Sequence, residues 1–176
     1  MSGRLSPLQW NRPRAAVPKN KCECPLFGGV MAFRNPSSAE IEHLLRKSRT
    51  IAVIGLSENP SRPSYRVAGA LQRYGYRILP VNPGVRSVLG ETAYPDLQSA
   101  QAALQAGERI DIVDVFRRPQ HVAAIVEDVI RLRLPALWLQ DGVIDEVAAE
   151  RARTHGVFTV MDRCLYRDRS ALSVSS

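Results

Sequence analysis

The chain has 176 residues, 45% of them hydrophobic, and a formal net charge of +7. That length suits one domain with a sizeable core, and no apolar run of about 18 residues is present to cross a bilayer as a helix. Three cysteines, two of them in Cys22-Glu23-Cys24, are too few for a disulfide framework, and the N-terminus lacks the apolar core of a secretory signal, so a reducing cytoplasm is the expected setting.

The charge is unevenly spread. Residues 1–30 hold Arg4, Arg12, Arg14, Lys19 and Lys21 against Glu23 alone, a net +4 that leaves +3 for the rest. Pro7, Pro13, Pro18 and Pro25 break any period in this segment. A basic, proline-containing tail without a period predicts a solvated, disordered segment. Without an aromatic platform it argues against a nucleic-acid partner. An ordered domain is expected over 31–170, with Met31 as an alternative start, and a disordered end over 171–176.

Ser37-Ser38-Ala39-Glu40 reads as a capping box ahead of Ile41, Leu44 and Leu45, a short amphipathic helix. From Thr50 onward, strand and helix alternate. The first strand covers about 50–55 and its helix about 63–74. The second strand, 77–82, stops at Pro83-Gly84. A short extended piece around 88–94 leads to a helix near 95–106. The third strand, 110–116, precedes a helix over 119–132 with Val122, Ile125, Val126 and Val129 inward. The fourth, 135–140, meets Asp141-Gly142, and a helix over 144–155 leads to the fifth strand, 157–160. Near-continuous apolar strands between amphipathic helices predict an α/β fold, a Rossmann-like open parallel sheet of about five strands with helices on both faces.

In such a sheet the ligand crevice lies outside the strand C-terminal ends, at the switch point. Those ends are Gly55-Leu56-Ser57, Asn82-Pro83-Gly84, Phe116-Arg117-Arg118 and Gln140-Asp141-Gly142. Each alone is ordinary turn chemistry; together around one rim they suit a phosphate-bearing nucleotide. Strand, glycine, polar loop and helix at 50–74 offer backbone N–H groups and a helix N-terminus to a phosphate. Gly55 is the only glycine of that loop, and the second strand ends without a carboxylate until Glu91. Both features argue against NAD, while Arg86 leaves NADP open.

The segments Gly55-x-Ser57-x-x-Pro60-x-Arg62-x-Ser64, Pro80-Val-Asn-Pro83, Leu89-Gly-Glu91, Asp111-Ile-Val-Asp-Val-Phe-Arg117, Trp138-Leu-Gln-Asp-Gly142 and Met161-Asp-Arg-Cys164 resemble the small bacterial CoA-binding proteins. The fold of that family is similar to the CoA-binding domain of the succinyl-CoA synthetase α subunit. The resemblance covers about residues 37–168. Asp141 departs from it, since a neutral residue or Glu often stands there.

The resemblance implies coenzyme A, free or acylated, as a small-molecule ligand. Gly55, Ser57 and the following loop with Asn59 would wrap the pyrophosphate, and Arg62 and Ser64 would add charged and hydroxyl hydrogen bonds. Asn82 and Pro83 would flank the adenosine, with Arg86 within reach of its 3′-phosphate. Phe116 and Arg117 would line the adenine and pantetheine side, and Leu139, Gln140 and Gly142 would close the cleft. A side chain at Gly55 would block the phosphates.

No catalytic or metal residues are expected. His43, His121 and His155 fall on separate predicted helices, and Cys22 and Cys24 lack two further zinc ligands. Asp114 reads as a hydrogen-bonded structural aspartate, Trp138 as core, and Cys164 as a structural thiol placed away from the pyrophosphate loop. No nucleophile, base and orienting group stand together. The reading is a stand-alone binding module: carrier, sensor or regulator. An enzyme of CoA thioesters, using Cys164 or Asp114, and an NADP-binding redox protein are the alternatives. Leu165 and Tyr166, expected at the surface, are candidates for a homodimer seat.

Overall fold

The computed structural model describes residues 33–172. The expectations for residues 1–30 and 173–176 lie outside the described residues. The first helix, α1 (Ser38–Lys47), starts as the capping box demands: the Ser37 backbone N–H donates to Glu40 Oε2 at 2.8 Å and the Glu40 N–H to Ser37 Oγ at 3.3 Å. The Ser37 Oγ–H also donates to Glu40 Oε2, at 2.6 Å, and this bond, followed by the one from the Ser37 N–H, favours the ionised carboxylate and holds Glu40 below the ordinary value.

Five strands form one parallel sheet: β1 (Thr50–Ile54), β2 (Arg77–Val81), β5 (Ile112–Val115), β6 (Ala136–Leu139) and β7 (Phe158–Val160), in the order β2-β1-β5-β6-β7. Their apolar, β-branched runs are buried on both faces, as parallel sheets require. Alternation splits the core in two. Ala52, Ile54, Val113, Val115, Leu137 and Leu139 face one layer, with α3 (Leu97–Ala102), α4 (Val122–Arg131) and α5 (Glu146–Thr154). Ile51, Val53, Ile112, Trp138 and Val160 face the other, with α1, α2 (Pro63–Arg73) and α6 (Leu165–Ala171). The chain leaves β1 for β2 on one side and returns for β5 on the other. That reversal makes the C-terminal ends of β1 and β5 the switch point.

Several expectations are corrected. The piece at 88–94 is an antiparallel hairpin, β3 (Ser87–Val88) with β4 (Glu91–Thr92), turned by Leu89 and Gly90 at φ 56° and 79°. The helix expected at 95–106 is only α3, begun by Asp96, whose Oδ1 accepts from the Ser99 N–H at 2.7 Å. Ile125 is only partly buried, while Val122, Val126 and Val129 are fully so. The last helix, α6, was not expected. It packs on α1 and α2 and carries order through Ala171, with Leu172 packed on the core. Leu165 is therefore fully buried, which removes it from any dimer seat. Tyr166 is 37% exposed and lies against Tyr74, ring centroids 6.3 Å apart. Among the described residues no helix is long and apolar enough to cross a membrane.

Candidate functional site

The β1 exit is built around Gly55. Its φ is +81°, and a Cβ there would lie 2.7 Å from the Phe116 carbonyl oxygen and 3.2 Å from Arg117 Nε. The Gly55 N–H donates to Val81 O at 2.9 Å and the Phe116 N–H to Ile54 O at 2.9 Å, so three strand ends converge on this residue. The loop beyond is held by its own polar side chains. The Ser57 N–H donates to Ser64 Oγ at 3.2 Å, the Asn59 N–H to Ser57 Oγ at 3.2 Å, and the Ser61 N–H to Asn59 Oδ1 at 2.9 Å. Helix α2 then opens with Arg62 at its cap and Pro63 in the first position, without a side-chain cap. Its first-turn N–H groups and the positive end of its dipole are left for another acceptor.

A cavity of about 610 Å³ lies over the C-terminal ends of β1, β5 and β6. It gathers Gly55, Ser57, Arg62, Ser64, Phe116, Arg117, Gln140 and Gly142, all expected at a site, and adds Pro63, Val67, Arg118, Pro119, Asp141, Val143 and Cys164. The expected residues Asn59, Asn82, Pro83, Arg86 and Leu139 do not line it. Asn59 is exposed and spends its side-chain oxygen on the loop. Asn82 donates from Nδ2 to Leu56 O at 2.9 Å and accepts the Gly84 N–H on Oδ1 at 3.1 Å, so it ties the β2 exit to the β1–α2 loop. Pro83 borders a second hollow of about 380 Å³ between α3 and α4, with Arg117 lining both. Arg86 is exposed beside the β3–β4 hairpin. Leu139 is fully buried in the core, on the strand position before Gln140.

The cavity is positively charged. Eight ion pairs occur among the described residues, each with an arginine, and none uses Arg62, Arg117 or Arg118. The one acid on the cavity wall, Asp141, is paired with Arg167 of α6 at 2.5 Å. Three guanidinium groups and an uncapped helix N-terminus converging without a carboxylate to balance them suit an anion.

Beneath the wall lies Asp114, 0% exposed in β5. Its Oδ1 accepts from Gln140 Nε2 at 2.8 Å, and its Oδ2 has no partner. Burial pushes the carboxyl up to about 7, against the opposing pull of the Gln140 hydrogen bond. The hydrogen-bonded structural aspartate expected from the sequence fits this geometry.

Cys164 is the correction with most consequence. It is half-buried and lines the cavity that holds Gly55 and Ser57 rather than standing away from that loop. The segment after β7 folds back over β6 to put it there. Trp138 Nε1 donates to Arg163 O at 2.7 Å, the Arg163 N–H to Leu139 O at 3.3 Å, and the Gly142 N–H to Asp162 Oδ1 at 2.7 Å. Asp162 turns the chain at φ +55°. Trp138 is core, as expected, but its indole N–H had no visible partner in the sequence.

Fold and site together define an open α/β protein with an anion-suited crevice at its switch point. The CoA binding domain family matches residues 49–169, and the chain belongs to that family. The uncharacterized protein YneT of Bacillus subtilis is 38% identical over 133 residues, covering 76% of this chain and 94% of YneT. A solved protein from Thermus thermophilus is 34% identical with a TM-score of 0.70, over 78% of this chain and 99% of that one. A hypothetical protein of Pyrococcus horikoshii OT3 is 28% identical with a TM-score of 0.71, over 80% and 97%. The dinucleotide-forming acetyl-coenzyme A synthetase 1 of Ca. Korarchaeum cryptofilum shares the fold at 19% identity and a TM-score of 0.56, over 69% of this chain and 28% of that enzyme.

Proposed function

We propose that the protein binds coenzyme A, free or as an acyl thioester, in the 610 Å³ cavity, as a binding module of the cytoplasm rather than an enzyme. The observation that carries this reading is that Arg62, at the α2 N-terminus, and Arg117 and Arg118, after β5, line one cavity and take part in no ion pair among the described residues. Coenzyme A presents a pyrophosphate and a ribose phosphate to such a set. The pyrophosphate sits against the Gly55–Ser57 loop and the α2 N–H groups, with Ser64 and Arg62 beside it. The adenosine end leads past Arg117 toward Pro83 and the second hollow, with Arg86 beyond. Gln140 and Gly142 form the opposite wall, Leu139 supports Gln140 from the core, and Asn59 and Asn82 hold the phosphate loop in shape.

NAD fits less well. Its ribose hydroxyls want a carboxylate at the end of β2, where the chain has Asn82 with both side-chain polar groups engaged in the loop. Asp114 does not line the cavity and supports the wall through Gln140, so it supplies no base to a bound thioester.

Arg62→Ala is expected to weaken coenzyme A binding by about 1.5–3 kcal/mol, the range for a hydrogen bond to a charged group, or roughly ten- to a hundredfold. Arg151→Ala, which breaks an exposed pair with Glu127, is expected to leave affinity unchanged. Titration calorimetry checks both. Equal affinities for wild type and Arg62→Ala would move the site elsewhere.

A further inference from the structure

We propose that Cys164 is a capture site for the thiol end of the ligand: it exchanges with the disulfide of coenzyme A to form a mixed disulfide inside the cavity. The inference rests on the coenzyme A reading above. It begins from a coincidence of chemistry, since the one free cysteine among the described residues lines the cavity proposed for a ligand that itself ends in a thiol.

A second observation points to the same wall. Gln140 is only 4% exposed yet lines the cavity. Its Nε2 is fixed on Asp114, and its carbonyl oxygen has no hydrogen-bond partner among the described residues. With its amide nitrogen anchored, Gln140 leaves this oxygen on the cavity wall to accept from a donor in the cavity, water or ligand. The arm of coenzyme A between phosphates and thiol contains two amide N–H groups, which are donors of that kind.

The backbone joins the two residues. The Arg163 N–H bonds to Leu139 O at 3.3 Å, so Cys164 and Gln140 each directly follow one of two bonded residues, and both line the cavity. An arm anchored by its phosphates at Arg62 and by an amide at Gln140 is directed toward Cys164.

The exchange balances without an added oxidant. The Cys164 thiol gives up its proton, and the thiolate attacks one sulfur of the coenzyme A disulfide. The Cys164–coenzyme A S–S bond forms as the original S–S bond breaks, and the second coenzyme A leaves as a thiolate that takes up the proton. One disulfide is consumed and one is made, and excess free thiol drives the step back.

The test uses the full chain with Cys22→Ser and Cys24→Ser, so that Cys164 is the one remaining cysteine, and the same protein with Cys164→Ser added. Calorimetry with reduced coenzyme A under reducing conditions measures binding alone. Intact mass spectrometry then follows adduct formation with coenzyme A disulfide and, separately, with oxidised glutathione at equal concentration. Prior binding turns the exchange into an intramolecular step, so the coenzyme A adduct is expected to form at least about tenfold faster than the glutathione adduct. Its rate should saturate with concentration, and it should be absent with Cys164→Ser. If reduced coenzyme A binds but Cys164 reacts no faster with its disulfide than with oxidised glutathione, the capture site is overturned and the binding reading stands. If reduced coenzyme A does not bind, both fall.

Discussion

Replacing Gly55 with alanine is expected to destabilise the protein by roughly 2–5 kcal/mol, against about 1–2 kcal/mol for the same change at Gly75. Both glycines have φ in the left-handed region, +81° and +88°, where a side chain costs about 1–2 kcal/mol. The difference is space. A Cβ on Gly75 meets nothing within 4 Å, whereas one on Gly55 lies 2.7 Å from the Phe116 carbonyl oxygen. That oxygen belongs to backbone tied to β1 through the Phe116 N–H, so it cannot yield as a flexible side chain would, and overpacking adds about 1–3 kcal/mol. The conformation and the clash, more than obstruction of a phosphate, are what exclude a side chain. Urea unfolding of the two variants measures the contrast. Equal losses would show that the β1 and β5 exits do not press together at this residue.

Asp114→Asn is expected to stabilise the protein in a pH-dependent way. The buried Asp114 carboxyl is pushed from its ordinary 3.8 to about 7 by desolvation. Between those values the folded protein holds a proton that the unfolded chain releases. Wild-type stability therefore falls as pH rises through this window and levels off above about 7. The full displacement is worth about 4 kcal/mol. Asparagine keeps an oxygen to accept from Gln140 and places an NH₂ where the protonated carboxyl has its O–H, so it mimics the neutral acid at every pH. The advantage of the variant should be near zero at about pH 4 and reach its plateau above about pH 8. Urea unfolding of both proteins across this range is the check. A difference that does not change with pH would mean that Asp114 titrates normally.

Much of this architecture is legible in the sequence because parallel strands leave little choice. Ile51–Ile54, Ile112–Val115 and Ala136–Leu139 read as apolar runs, and their turn residues mark where each ends. A parallel sheet then sends all those ends to one rim, which is why Gly55, Ser57, Arg62, Phe116, Arg117 and Gln140 meet in space although they span 86 positions. Leu139 could have been set apart by the same rule, since it shares the parity of the buried Leu137. Asn82 could not, because nothing local says that its amide bridges to Leu56 O rather than facing a ligand.

The end of the chain was opaque for another reason. Leu165–Ala171 has no side-chain cap and one buried residue, Leu165, so its sequence carries almost no helical pattern. Packing on α1 and α2 makes it a helix. The return of residues 161–164 over β6 likewise depends on partners far away, Trp138, Leu139 and Gly142. These long-range bonds decide where Cys164 sits, and no spacing in the sequence announces them.

Native mass spectrometry of the full-length protein with coenzyme A, NAD and NADP together at equal concentrations tests the central claim most directly. The arginine-lined cavity and the absence of a carboxylate at the β2 exit predict that the coenzyme A complex exceeds each dinucleotide complex by at least about tenfold, or roughly 1.4 kcal/mol. A dinucleotide complex as abundant as that of coenzyme A would contradict it.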